Sequence, residues 1–367
     1  MKLNVIKAYI KKEFIDLIRS KMIVMVYLIP IMIIFLFGYG IKLEVTHSRT
    51  VIIDRDNTKL SSEIIRGFST SKYFDTQVMN ISDNQALKLI KQNKIDLFII
   101  IPHNFERNLL HSKNGEVGIF VDGSFPLRAT TLEGYIQGVF LNILQKNGVN
   151  IPFKVNQRNF FNNSLRDENG VIPGLIGLIL FIAPAILAAL LIVKEKEIGT
   201  IFNFYSSPIS KIEFLIAKLT PIFILQSFNT IILFLIAIYW FEVPFRGSFL
   251  LYFISSEIYV IISIGIGLLV SVITSKQVVA LVLAVLITVI PGFLYSGIIM
   301  PISSMTGESY IEAHMFPVMY YNHILYDTFL VAQGFSSSLN LKYLLVLVVY
   351  AVSLLGLGAA LLKKELK

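Results

Sequence analysis

Residues 194–221 read KEKEIGTIFNFYSSPISKIEFLIAKLTP and form a strongly polar break between two long apolar segments. The stretch opens with four alternating charges, passes Gly199-Thr200 and Ser206-Ser207-Pro208, and then resumes a helical pattern. Reversing the chain would take only a few residues. This break is long enough to build a helix of its own, lying along the face of whatever the flanking apolar segments cross. Its reading therefore depends on those segments.

They are membrane spans. The chain has 367 residues, of which 55% are hydrophobic, and a mean hydropathy of +0.70. That is too apolar for a soluble globular protein. A hydrocarbon core of roughly 30 Å needs about 20 apolar residues in a helix. Six stretches reach that length: Met22–Ile41, Val171–Val193, Leu219–Phe241, Phe249–Thr274, Gln277–Met300 and Leu341–Leu362. Met22–Ile41 reads as a retained span, because no small-x-small cleavage site follows it before Lys42. The expected fold class is an α-helical polytopic membrane protein with six transmembrane helices and an inserted α/β extracytoplasmic domain.

Lysine and arginine in the short flanks orient the spans. Lys2, Lys7, Lys11, Lys12, Arg19 and Lys21 share a side with Lys194, Lys196, Lys211, Lys218, Lys276, Lys363, Lys364 and Lys367. Against these fourteen cations stand six acids, a surplus of eight that equals the net charge of +8. Both termini are expected in the cytoplasm. The basic balance reflects topology and contact with anionic membrane lipid, so it does not indicate nucleic acid.

The expected organisation has four parts. Residues 1–21 form a cytoplasmic amphipathic helix, with Val5, Ile6, Tyr9, Ile10, Phe14, Leu17 and Ile18 on one face. Residues 22–41 are the first span. Residues 42–170 are the extracytoplasmic domain, in which strands at Thr50–Asp54, Tyr73–Met79, Ile95–Ile101 and Glu116–Asp122 alternate with helices. Ser82 and Gln85 are spaced as a capping box. Residues 171–367 hold the other five spans, with a cytoplasmic loop at 194–218 and an outer region at 291–325.

Little conventional chemistry is present. There are no cysteines, which removes disulfides, thiolate metal sites and cysteine nucleophiles. His47, His103 and His111 lack metal-ligand spacing, and Asp54, Asp56 and Asp122 sit at strand ends where turn chemistry accounts for them. No phosphate-loop motif occurs, so no nucleotide site of that type is expected in this chain.

The spans hold the informative polarity instead. Tyr252, Ser255, Ser256, Tyr259 and Ser263 fall on one helical face, with Glu257 beside it. This face is either a polar translocation surface or a set of hydroxyls bonded to neighbouring backbone, with Glu257 reaching the outer interface. The fifth span carries Pro291-Gly292, Ser296-Gly297 and Pro301, which break a helix and favour short re-entrant helices at the outer mouth over an ordinary kink and loop.

In this order, the motifs resemble those of permease subunits of type-2 ATP-binding-cassette (ABC) exporters with a large ectodomain. The stretches that carry the resemblance are VIIDRD, KIDLFIIIPHNFERNL, VDGSFP, VIPGLIGLIL, KEKEIGTIFNFYSSPIS, IPGFLYSGIIMPISSM and MFPVMYY. The resemblance implies pairing with a second permease copy or paralogue, and separate ABC ATPase subunits that hold ATP and magnesium, leaving no cofactor in this chain. It implies that Glu195, Glu197, Gly199, Thr200, Ser207 and Pro208 couple to the ATPase. It further implies an outer gate at Pro291, Ser296, Gly297 and Pro301, with a periplasmic adaptor as a further candidate partner. Phe202, Thr306 and Tyr326 depart from that family's usual residues.

The expected function is thus a non-enzymatic permease of an ATP-driven exporter for a drug-like, lipid or lipid-linked substrate. The expected location is the bacterial plasma membrane. The rivals are a receptor or scaffold that senses through its ectodomain, which would need a cytoplasmic signalling domain, and a secondary transporter, which would show inverted repeats.

Overall fold

The computed structural model describes residues 3–20, 22–41, 45–92, 94–110, 116–122, 126–146, 166–206, 209–298, 305–332 and 334–362. Ser207, Pro208 and Pro301 lie outside the described residues. The chain divides into two compact units, Lys42–Arg158 and the remainder.

The chain begins with α1 (Leu3–Arg19) and α2 (Met22–Gly40). Helix α1 buries Ile6, Glu13 and Leu17, and packs on the helix Lys211–Leu235.

The unit Lys42–Arg158 follows as β1 (Ser48–Asp54), α3 (Lys59–Ser69), β2 (Phe74–Val78), α4 (Asp83–Lys91) and β3 (Leu97–Ile101). It continues with α5 (Phe105–Leu110), β4 (Gly118–Val121) and α6 (Pro126–Lys146). Its sheet has the order β2-β1-β3-β4, with β1 parallel to both neighbours and β4 antiparallel to β3. The inner strand β3 is a continuous apolar run because both faces are covered. Ile99 and Ile101 pack with Phe68 and Leu132, and Phe98 packs with Val51 and Ala86. The edge strand β4 is half exposed.

The larger unit continues with α7 (Asp167–Ile198), α8 (Ile201–Ser206), α9 (Lys211–Leu235), α10 (Phe249–Ile273) and α11 (Gln277–Leu294). Two short helices, α12 (Glu308–Met315) and α13 (Pro317–Tyr326), precede the last, α14 (Ser338–Leu361). Single π-helical turns extend α9 over Ile236–Trp240 and α13 over Asp327–Val331. Among the described residues, five helices are long and apolar enough to cross a membrane: α7, α9 with its π turn, α10, α11 and α14. In α2 the apolar segment is the shorter Val26–Gly40.

Helix α7 is the hub. It runs for 32 residues, longer than the span at 171–193, and absorbs the first five residues of the expected loop. Its apolar window is 83% buried, whereas that of α14 is 17% buried, so α7 is the helix the others pack around. Where two helices share a lipid-like environment there is little hydrophobic gain in their contact, and close approach at small residues takes over. Gly267 of α10 is such a point. A Cβ there would come within 2.2 Å of the Ala185 carbonyl oxygen, so no side chain fits.

Candidate functional site: the charged end of α7

The last turn of α7 carries Glu195, Lys196 and Glu197, and each reaches a different neighbour. Glu195 accepts a hydrogen bond from Lys218 of α9. Lys218 also donates to Glu13 Oε2 of α1 at 2.6 Å. The Lys218 and Glu13 side chains are almost wholly buried, at 2% and 3% exposure, and Glu195 is at 18%. Two carboxylates around one ammonium tie α1, α7 and α9 at a single point. A buried charge is tolerable only when paired in this way.

Lys196 donates to the backbone carbonyls of Ser271, Val272 and Thr274, at 3.3 Å for the last two. These are the orphan carbonyls at the C-terminal end of α10, where a cation is also favoured by the helix dipole. Burial strips water from the Lys196 ammonium, and the carbonyls replace that hydration. Glu197 Oε2 accepts from the Gln277 backbone N–H at 3.0 Å and from Gln277 Nε2 at 2.8 Å. It therefore holds the N-terminal end of α11, where a carboxylate complements the dipole. Alternating charges along a single turn thus become three separate fastenings.

The helix stops at Gly199, whose φ of +83° lies in the left-handed region that glycine adopts freely. Helix α8 then sets off in a new direction. It buries Ile201 and Phe204, and Phe204 stacks on Phe214 of α9 with ring centroids 4.0 Å apart. Phe202 points away, half exposed, and meets Tyr205 edge-on. Ile198 and Ile212 are exposed nearby in the chain. Thr200 is exposed, and its hydroxyl reaches the Glu195 carbonyl at 3.5 Å. These exposed apolar side chains flank a scaffold clamped by buried ions.

The hydroxyl-bearing face of α10 is turned into the bundle. Tyr252, Ser255, Ser256, Tyr259 and Ser263 are fully buried inside one chain, so they do not form an open surface there. Tyr252 donates to the Thr230 carbonyl at 2.9 Å. Ser256 and Tyr321 of α13 share a hydrogen bond of 2.7 Å, and Tyr259 stacks on Tyr321 and on Phe181. Ser263 donates to the Phe181 carbonyl. Ser255 instead donates to the Tyr252 carbonyl of its own helix at 3.0 Å, and the face as a whole is enclosed because α10 is gripped between α7 and α14. Glu257 alone of this group is partly exposed, and it accepts from Ser227 of α9.

The residues expected at an outer gate gather at the other end of α7. Pro291 lies in the last turn of α11, and Gly297 follows with a φ of +81°. The Ser296 carbonyl accepts from Asn322 Nδ2 at 2.8 Å. Asn322 in turn sits so close to Gly177 that a Cβ on the glycine would be 1.8 Å from Asn322 Oδ1. Tyr326 donates to the Gly170 carbonyl at 2.8 Å. Sequence reasoning missed Glu13, Lys218, Gly177 and Asn322. Lys218 counted only as one flank charge, and no local pattern announces a contact between residues far apart in the chain.

In the smaller unit, Asp56 is structural. Its carboxylate accepts from the backbone N–H groups of Phe105 and Glu106, each at 3.0 Å, and from Thr58 Oγ1 at 2.8 Å. Burial would raise its pKa, but these donors outweigh that and hold it below the usual carboxylate range. Among the described residues no cluster of histidine and carboxylate side chains could hold a metal ion.

The profile of the ABC-2 family transporter proteins matches residues 20–360. The chain belongs to the ABC-2 transporter family. It is a transmembrane permease of an ABC exporter and a multi-pass membrane protein. Relatives include the protein described as "Probable multidrug ABC transporter permease YbhS" of Escherichia coli (strain K12), 29% identical over 311 residues, which are 82% of each chain. The permease YbhR of the same strain is 29% identical over 301 residues, 81% of this chain and 82% of that one. The Dictyostelium discoideum protein "ABC transporter G family member 20" is 23% identical over 337 residues, 88% of this chain but 46% of its own length. Membership in the ABC-2 family implies an ABC ATPase partner and permease pairing.

Proposed function

We propose that the chain is one half of the membrane channel of an ATP-driven exporter in the bacterial plasma membrane. It moves a drug-like, lipid or lipid-linked substrate outward, and ATP and magnesium are held by a separate ATPase subunit. In this reading α2 is the first of six spans, both termini are cytoplasmic, and the α/β domain at 42–170 lies outside. The second permease is another copy or a paralogue. The charge surplus of the flanks supports the orientation.

The observation that carries the coupling assignment is the last turn of α7, where Glu195, Lys196 and Glu197 each grip a different element. A push on α8 turns about Gly199 and reaches α1, α9, α10 and α11 through these contacts at once. Thr200 and Phe202 on the exposed side, with Ser207 and Pro208 beyond them, meet the ATPase. At the opposite end Pro291, Ser296, Gly297 and Pro301 form the gate, closed by Asn322 and Tyr326. Tyr252, Ser255, Ser256 and Tyr259 hold the bundle together, and Glu257 is the member of that group assigned to the translocation path.

The test is co-purification of an ATPase subunit with the permease, followed by transport in vesicles with Gly199→Pro. Proline cannot adopt φ +83°, so ATP-driven transport should fall to background. Association with no ATPase, together with full transport by that variant, would sink the assignment.

A further inference from the structure

The sheet of the smaller unit has two edges, and they differ in chemistry. The edge strand β2 reads FDTQV, with Asp75 and Gln77 exposed, and a charge of that kind blunts an edge against pairing with another chain. The edge strand β4 reads GIFV, with no charge and no proline. It pairs with β3 residue for residue, so it has no bulge either. Ile119 and Phe120 are exposed at 38% and 44%, and among the described residues no strand pairs with the outer side of β4.

The ladder fixes which backbone groups that edge presents. Asp122 N–H donates to the Asp96 carbonyl at 2.9 Å, which makes these residues a hydrogen-bonded pair. The same register sets Phe120 opposite Phe98 and Gly118 opposite Ile100. Hydrogen-bonded and non-hydrogen-bonded pairs alternate along an antiparallel ladder. Gly118 and Phe120 therefore turn their N–H and C=O groups to β3, and Ile119 and Val121 turn theirs outward. That outward pattern is symmetric about Phe120. An antiparallel copy centred there sets Ile119 against Val121 of the other copy, so every outward N–H meets a C=O. Phe120 then faces its own counterpart in a non-hydrogen-bonded pair, where side chains approach most closely. Its ring already stacks on Phe98 with centroids 4.6 Å apart, so the new contact extends a row of aromatic rings. Asp122 falls opposite Gly118, and no acid meets an acid.

We propose that β4 pairs antiparallel with β4 of a second copy of this chain, joining the two sheets across a twofold axis. Such an interface is isologous: the same patch serves both partners, as the symmetry about Phe120 requires. A strand of an unrelated protein can hydrogen-bond to an edge, but only a copy makes Phe120 its own neighbour. The inference rests on the permease pairing that the family implies, and adds to it the strand, the register and the identity of the partner.

The chain has no cysteine, so a single introduced thiol reports alone. Phe120→Cys in the full-length permease, in its membrane, is oxidised mildly and run on a non-reducing gel. A non-hydrogen-bonded pair has Cα atoms about 4.5 Å apart, within the range a disulfide spans. The expected result is at least about fivefold more linked dimer than from Gln77→Cys on the opposite edge, which measures chance collision. Ile119→Cys, about 7–8 Å from its own counterpart in this register, should link weakly alone and well when mixed with Val121→Cys copies. Val121→Pro removes an outward N–H and leaves the ladder to β3 whole. It should cut the Phe120→Cys link to the control level with an unaltered thermal midpoint. Ile119→Lys, which places a charge on the edge without touching the backbone, should do the same. The proposal is overturned if Phe120→Cys links no better than Gln77→Cys, or if both edge variants leave the link intact. Light scattering on the purified permease separates the two readings. Particles of two copies that fail to link at Phe120 sink the strand pairing and leave permease pairing standing, whereas particles of one copy sink both.

Discussion

The two ends of α7 are fastened by different physics. At its C-terminal end, charges do the holding: Lys218 between Glu13 and Glu195, Lys196 on carbonyls, Glu197 on an amide and an N–H. At its N-terminal half, contact is made by neutral groups at very short range, with Gly177 under Asn322 and Tyr326 on the Gly170 carbonyl. A charged fastening acts over distance and tolerates small displacement, because a Coulomb interaction falls slowly with separation. A close-packed glycine contact is lost or clashes within a fraction of an ångström. In the proposed transport cycle, one end would stay attached while it moves, and the other would be either shut or apart.

The largest expected effect breaks the charged end. Lys218→Met leaves Glu13 and Glu195 buried together without a cation, which should cost about 3–5 kcal/mol. It should be read as a fall in thermal midpoint of the purified permease. Adding Glu13→Gln and Glu195→Gln should recover much of that loss, because replacing every charge removes the uncompensated burial. A single variant as stable as the parent would mean that the triad does not hold these helices.

Next comes the neutral end. Gly177→Ala places a methyl group where Asn322 sits, and overpacking of this kind costs about 1–3 kcal/mol. The sharper expectation is functional: the gate should be held ajar, giving leak of a fluorescent substrate across vesicles without ATP. Tight vesicles and normal transport would show that the gate closes somewhere else.

A smaller loss, about 1–2 kcal/mol, is expected for Gly199→Ala, since alanine pays for the left-handed conformation while meeting no neighbour closer than 3.9 Å. Chemical denaturation would measure it, and an unchanged midpoint would place the strain elsewhere. Smallest in stability is Phe202→Ala, expected within about 0.5 kcal/mol of the parent because the ring is half exposed. Its effect should fall on ATPase co-purification, and undiminished capture would remove Phe202 from the docking surface.

How much of this could be read in advance depends on whether the information was local. The capping box of Ser82 and Gln85 is present at α4, because four consecutive residues suffice to make it. The long apolar helices are legible for the same reason, as composition decides them. The hydroxyl repeat of Tyr252, Ser255, Ser256 and Tyr259 is plain in the sequence, but nothing local says which helix it faces. In the structure it turns inward to α7, α9 and α13. Lys218 carries the same lesson more sharply: on a flank count it is a surface cation, and 205 residues separate it from Glu13. The length of α7 was also underread, because Lys194 to Glu197 signal the end of a span and yet are good helix formers.

The π turn at Ile236–Trp240 adds one residue to a helix that would otherwise repeat every 3.6. Residues beyond the inserted one, Trp240 at the end of the turn among them, are therefore rotated by roughly 100° relative to an uninterrupted helix. That extra residue sets the phase in which Trp240 Nε1 finds the Tyr39 hydroxyl of α2 at 3.0 Å. Removing Ile238 would let the turn close into ordinary α-helix and swing the indole to the wrong side. The contact of α9 with α2 is, in that sense, keyed to a single residue of helical surplus, and shortening the helix by one should uncouple the two as surely as deleting the tryptophan.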